Sequence, residues 1–258
     1  MRIDLTTDPG DPERPNEDWV SAALPAGGTG GVVVVLDGVT PPAGDDGCEH
    51  GVPWFTAQLG GRLTELSGAR RDLGLDAVLA EAIARTAADH RESCDLSHVR
   101  TPQATVVLVR WDADRVEHLV LSDSVLLLRA PDGKVTAVLD DRLDRVDPAV
   151  LRSVEATDRL RNAEGGFFTA AADPAVASRA VLGETPRARV TDIVALTDGA
   201  SRWVDTFAEG DWTECAELVR AHGARALVDR VRAVERDPER TAARYKRHDD
   251  ASVAHAAL

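Results

Sequence analysis

The chain has 258 residues, 43% hydrophobic and 29% charged, which is enough apolar material for a packed core and excludes a mainly disordered chain. Thirty Lys and Arg against 44 Asp and Glu leave a formal charge of -14, which repels phosphate backbones and anionic lipid and argues against nucleic-acid or membrane partners. The same acidity has a local use where carboxylates converge, because a divalent cation offsets their repulsion.

The N-terminal segment through Pro9 has no apolar signal core, and no apolar run approaches membrane-spanning length. Cys48, Cys94 and Cys215 are odd in number and share no CxxC spacing, so neither a disulfide framework nor a zinc knuckle is indicated. A reducing, cytoplasmic setting is expected. The length suits one large two-sheet domain over 1–258, and nothing in the sequence specifies the oligomeric state.

In chain order, a Pro- and Asp-rich stretch through Pro15 leads to a short alternating strand, Trp19 to Leu24, and a Gly-rich turn ending at Gly31. Gly31 to Leu36 is continuous and β-branched, predicting a strand buried on both faces that stops at Asp37-Gly38. Helical periodicity follows over Gly51 to Leu66 and Leu75 to His90. Ala104 to Trp111, Val116 to Leu121, Val125 to Arg129 and Val135 to Leu139 are separated by turn residues and predict an antiparallel meander. Pro148 to Arg161 predicts one helix, Gly165-Gly166 a hinge or close approach, Phe167 to Ala171 a strand, and Asp173 the cap of a short helix from Pro174. Val190 to Leu196 predicts a strand stopping at Asp198-Gly199, and Trp212 to Val234 and Pro238 to Tyr245 are helical by pattern. A last strand from Ala251 is entered through His248-Asp249-Asp250. This order predicts an α+β fold, a four-layer αββα sandwich of two mainly antiparallel sheets flanked by helices. Trp54, Phe55, Trp203 and Trp212 are expected in the core.

Three apolar strands each end in an aspartate: Leu36-Asp37-Gly38, Leu121-Ser122-Asp123-Ser124 and Leu196-Thr197-Asp198-Gly199. A further acidic pair, Asp249-Asp250, opens the last strand. An Asp-Gly after a strand is often only a turn. Several such carboxylates on one side of the sandwich would share a small volume, which is costly unless cations neutralise them, and oxygen-only ligands select magnesium or manganese over zinc.

These motifs, in this order, resemble those of the metal-dependent protein phosphatases of type 2C. Arg14-Pro15-Asn16-Glu17-Asp18 resembles the family's opening motif, Val35-Leu36-Asp37-Gly38 its central Asp-Gly motif, and Leu121-Ser122-Asp123-Ser124 its Gly-Asp-Ser motif beside a third, weaker metal. Ala195-Leu196-Thr197-Asp198-Gly199 matches the late Thr-Asp-Gly motif, and Asp249-Asp250 the closing pair. The resemblance implies two Mn2+ or Mg2+ ions held by Asp37, the Gly38 carbonyl, Asp198 and Asp249, with Asp18 and Asp123 at outer or third-metal positions and Glu17 and Asp250 behind them. It also implies hydrolysis of phosphoserine or phosphothreonine on a protein substrate, with Arg14 as the phosphate-gripping arginine.

Departures from the pattern are specific. The family's arginine often lies five residues before the last aspartate of the opening motif, where Glu13 stands here. Val39 replaces a histidine that many members carry after Asp-Gly, and Ser122 replaces glycine. His50 is a candidate to replace that histidine, and His248 a candidate to tune the metal cluster from behind Asp249. Cys48 lies near the expected site without a basic neighbour to activate it and is expected to be inert. A catalytically silent binding or regulatory domain of the same fold is the competing reading.

Overall fold

The computed structural model describes residues 1–25, 27–241 and 248–258. Its strands and helices, in chain order, begin with β1 (Arg2–Asp8), β2 (Trp19–Ala23), β3 (Gly31–Leu36), α1 (Val52–Ala69) and α2 (Leu75–His90). Then come β4 (Val106–Trp111), β5 (Arg115–Leu121), β6 (Val125–Arg129), β7 (Val135–Val138), α3 (Pro148–Leu151) and α4 (Val154–Leu160). The chain continues through β8 (Val181–Pro186), β9 (Asp192–Leu196), α5 (Asp198–Asp205), α6 (Trp212–His222), α7 (Ala224–Glu235), α8 (Pro238–Thr241) and β10 (Ala251–Ala257). The expected helix to Tyr245 lies partly outside the described residues. None of the described helices is long and apolar enough to cross a membrane.

The strands form two five-stranded sheets, ordered β1-β10-β9-β6-β7 and β2-β3-β4-β5-β8, and every strand pair within them is antiparallel. Three apolar layers result. Because side chains alternate along a strand, Val32, Val34 and Leu36 of β3 face α1 and α2, among Phe55, Leu59, Leu63 and Leu79. Val33 and Val35 face the second sheet, meeting Leu126, Ile193 and Ala254. The second sheet's outer face packs Leu127, Val194 and Val253 against Leu227, Val228 and Val231 of α7. Each fully buried Val or Leu contributes about 1.5–3 kcal/mol, so a charge at Val34 would break the first layer. The αββα sandwich expected from the element order is the fold observed.

Local differences have local causes. The four central strands are not one meander. β4 and β5 pair in one sheet, β6 and β7 in the other, and the chain changes sheets at Ser122-Asp123-Ser124, where Ser122 takes the left-handed conformation at φ 70. Pro148 to Arg161 is two helices, because Ser153 leaves the helix and caps α4 by accepting the Ala156 N–H at 3.3 Å. Trp212 to Val234 is likewise split, at Gly223 with φ 89. Gly166 does mark a close approach, since a Cβ there would lie 1.9 Å from the Leu160 oxygen. Phe167 to Ala171 makes only isolated bridges, Arg161 with Phe167 and Ala104 with Ala170. Strands β1 and β8 carry too few apolar residues to stand out in sequence, and they form by pairing with β10 and β5.

Candidate metal centre

Asp37 sits where β3 leaves the sheet. Its N–H donates to Thr105 Oγ1 at 3.2 Å and its carbonyl accepts the Thr105 N–H at 2.9 Å, which holds the backbone flat as the pairing ends. Gly38 is then bridged to Ala104. A Cβ at residue 38 would lie 2.4 Å from Val52 Cγ1 and 2.5 Å from the Glu17 oxygen, so only glycine lets the opening motif and α1 close on this point.

The second sheet supplies the remaining carboxylates. β9 ends at Leu196, and Asp198 is the first residue of α5, with its N–H 3.3 Å from Asp37 Oδ2. Thr197 Oγ1 donates to Asp18 Oδ2 at 2.9 Å and accepts the Ser252 N–H at 2.9 Å. Asp249, 8% exposed, accepts the Asp250 N–H on its Oδ1 at 3.0 Å. Asp250 in turn accepts the N–H groups of Gly10 at 2.8 Å and Glu17 at 2.7 Å. Gly199 is required beside it, because a Cβ there would lie 1.9 Å from the Asp250 oxygen.

Burial, and then the charges of Asp198, Asp18 and Asp249, push the Asp37 carboxyl well above the usual carboxylate range. Burial raises Asp18 in the same way, reinforced by Asp198 and Asp250 and opposed by hydrogen bonds from Ser252 and Thr197. Among the described residues, Asp18 Oδ1 is buried with no hydrogen-bond partner. A buried, unpartnered carboxylate oxygen within a group of mutually repelling carboxylates fits a cation held on oxygen ligands.

Beside this group lies an acidic cavity of about 630 Å³, lined among others by Asp123, Asp140, Asp144, Asp198, Asp205 and Asp249. Asp123 is pushed above the usual range by burial and by the charges of Asp144 and Asp140. Asp140 also accepts the Ser122 N–H at 2.8 Å and pairs with Arg142 through both oxygens at 2.6 Å, fixing the crossover that carries Asp123. Among the described residues, Arg202 is the one cation in the cavity lining, and Glu235, fully buried, accepts its Nη1 N–H at 2.6 Å.

Among the residues expected at the site, Asp18, Asp37, Gly38, Asp123, Asp198, Asp249 and Asp250 gather at this end of the sandwich. Glu17 lies among them, its carboxylate accepting the Thr40 hydroxyl at 2.5 Å. Arg14 is exposed and absent from the cavity lining. His248 turns toward α7, with Nδ1 3.0 Å from Glu235 Oε2. His50 stands in a separate group with Cys48, His90 and Cys94.

Phe55 and Trp203 are buried core residues as expected, and Trp54 and Trp212, half-buried, pack against the core, Trp212 also lining the cavity and Trp54 lying against His50 with ring centroids 4.3 Å apart. Asp140, Asp144 and Asp205 were not anticipated. Asp205 does have a readable signal, since it follows Asp198 by seven residues, two helical turns on one face.

The family model described as protein phosphatase 2C matches residues 12–233. The chain belongs to the protein phosphatase 2C family. Among solved structures, this family member resembles the serine/threonine phosphatase Stp1 from Staphylococcus aureus, with a TM-score of 0.64 and 13% identity over 100% of this chain and 95% of the other. It also resembles the serine/threonine phosphatase PstP/Ppp from Mycobacterium tuberculosis, with a TM-score of 0.63 and 19% identity over 100% and 98% of the two chains. A third similar structure, the catalytic domain of PstP in complex with two manganese ions, has a TM-score of 0.60 and 18% identity over 99% and 97%. A search of curated protein sequences finds no match.

Proposed function

We propose that this phosphatase 2C family member is a metal-dependent phosphomonoester hydrolase acting on phosphoserine or phosphothreonine in proteins. The observation that carries this reading is the burial of Asp37 beside Asp18, Asp198 and Asp249, an arrangement that needs positive charge to be stable with all carboxylates ionised. Asp37, the Gly38 carbonyl, Asp198 and Asp249 would hold two Mn2+ or Mg2+ ions, with Asp18 and Asp123 at the outer and third-ion positions. The complex of the PstP catalytic domain with two manganese ions supports that stoichiometry by resemblance. When bound, such a pair supplies a water of lowered pKa as nucleophile and Lewis-acid stabilisation of phosphoryl charge.

The chain's own residues orient these ligands. Asp250 holds the opening motif, Thr197 bridges Asp18 to β10, and Thr105 fixes the backbone at Asp37. A silent, metal-binding domain is the second reading, favoured by the exposed position of Arg14 and by the engagement of Arg202 with Glu235.

Hydrolysis of a phosphothreonine peptide and of p-nitrophenyl phosphate, with Mn2+, Mg2+ or chelator, separates the two. Metal-dependent turnover that is lost in Asp37→Asn supports the enzyme. Calorimetric Mn2+ binding without turnover supports the silent domain, and the absence of both removes the metal reading.

A further inference from the structure

A second group of ligating side chains stands apart from the carboxylates. Cys48 and His50 lie on the loop between Gly38 and α1, His90 is the last residue of α2, and Cys94 follows one turn later. The Cys94 N–H donates to the His90 carbonyl at 2.9 Å, continuing the helical turn and placing residues 90 and 94 on one side. The Asp95 N–H donates to the Gly47 carbonyl at 2.8 Å and joins the two loops.

One ligating atom from each of the four residues lies within 4.8 Å of all the others. Cys48 Sγ is 3.7 Å from His50 Nδ1 and 3.5 Å from His90 Nδ1, while Cys94 Sγ is 3.3 Å from His50 Nδ1. With Zn–S near 2.3 Å and Zn–N near 2.0–2.1 Å, a tetrahedron has sulfur-to-nitrogen edges of about 3.5 Å and a sulfur-to-sulfur edge of about 3.8 Å. The three sulfur-to-nitrogen distances bracket the first value. The two sulfurs, at 3.0 Å, are closer than the second and are not bonded.

His90 is 2% exposed and turns its Nδ1 toward Cys48 Sγ, while its Nε2, on the other side of the ring, has no hydrogen-bond partner among the described residues. Trp54 covers the group, with ring centroids 4.3 Å from His50 and 5.0 Å from His90.

We propose that Cys48, His50, His90 and Cys94 form a structural Zn2+ site that fastens the loop after Asp37-Gly38 to the end of α2. Two thiolates and two neutral imidazoles balance the charge of one Zn2+, which suits a half-buried position. Four protein ligands leave no open coordination place, the mark of a structural rather than a catalytic zinc. The sulfur and nitrogen donors also separate this site from the oxygen-only carboxylate group.

Burial opposes ionisation of Cys94, but hydrogen bonds from Cys48, Ser93, the Glu49 backbone and His50 outweigh it and lower the thiol to about 6. Burial and the Cys94 contact raise Cys48 to about 11. A search for CxxC misses this arrangement because its spacings are Cys-x-His and His-x3-Cys, each completed by the other loop.

The test is metal analysis of the full chain purified under reducing conditions, together with cobalt titration of zinc-stripped protein. The expected result is about one zinc per chain, falling below about a tenth in the Cys48→Ser, Cys94→Ser double variant. Cobalt should give the intense visible bands of a tetrahedral site with a thiolate charge-transfer band. The wild-type cobalt spectrum does not depend on the variant folding, and Asp37→Asn should retain the zinc, which separates this site from the carboxylate centre. Zinc retained by the double variant, absence of zinc and cobalt bands in the folded wild type, or two cysteines that resist alkylation until reduced would each overturn the proposal.

Discussion

The Asp250 carboxylate accepts the Glu17 N–H at 2.7 Å across 233 residues of sequence, and its other oxygen takes the Gly10 N–H at 2.8 Å. Through these two bonds the residue entering β10 holds the segment from Gly10 to the opening motif, and with it Asp18. Asp250→Ala removes both charge-assisted bonds while relieving some repulsion on Asp18. The expected net loss is about 2 kcal/mol, read as a lower denaturant midpoint at unchanged slope. Mn2+ affinity should fall with it, because Asp18 is no longer held in place. An unchanged midpoint would show that the opening motif is held by other contacts.

The pH dependence of the metal-free protein follows from Asp37 and Asp18. Both carboxyls are raised above their ordinary value of 3.8, chiefly by burial and then by neighbouring aspartates. The folded state therefore binds their protons more tightly than the unfolded chain. The stability they contribute is complete below 3.8 and is lost as pH rises through their folded values. In chelator, the melting temperature should fall between mildly acidic and mildly alkaline pH, and Mn2+ should restore more of it at the alkaline end. Asp37→Asn should melt higher than the native protein in chelator at alkaline pH and respond less to Mn2+. A variant that melts lower there would mean that Asp37 is stabilised by contacts rather than strained by charge.

The strands ending in Asp37 and Asp198 were legible because buried β-branched runs stop abruptly at Asp-Gly, whereas the meeting of those ends depends on how the two sheets stack, which the runs themselves do not encode. The sheet change at Ser122 was not legible, because turn residues after Leu121 suit a hairpin as well as a crossover. The two-helix split at Gly223 was obscured by continuous apolar periodicity on both sides. Asp140 and Asp144 reach the cavity from a loop whose path depends on the Asp140–Arg142 pair, a contact that no periodicity encodes. The cysteine–histidine group needs two loops 40 residues apart to meet, so its halves carry no signal singly.

Gly199 is held against backbone, since an added Cβ would lie 1.9 Å from the Asp250 oxygen and 3.2 Å from Asp249 Cβ. Neither neighbour is a flexible side-chain end, so the start of α5 must move away from β10. Gly199→Ala should cost about 3 kcal/mol and weaken Mn2+ binding, because Asp198 and Asp249 are displaced relative to each other. Calorimetry and denaturant melts on the same preparation check both parts. A variant of native stability with native Mn2+ affinity would show that this approach is not tight.

Ser122 occupies the left-handed region at φ 70, where a Cβ is disfavoured by about 1–2 kcal/mol. Its hydroxyl returns part of that by donating to Asp123 Oδ1 at 3.2 Å. Ser122→Ala and Ser122→Gly both lose that bond, so the difference between them isolates the backbone conformation. The glycine variant should be the more stable by about 1 kcal/mol, measured by denaturant unfolding of the pair. Equal stabilities would mean that the crossover relaxes out of the left-handed conformation once the hydroxyl is gone, and that Asp123 owes its position to Asp140 holding the Ser122 N–H.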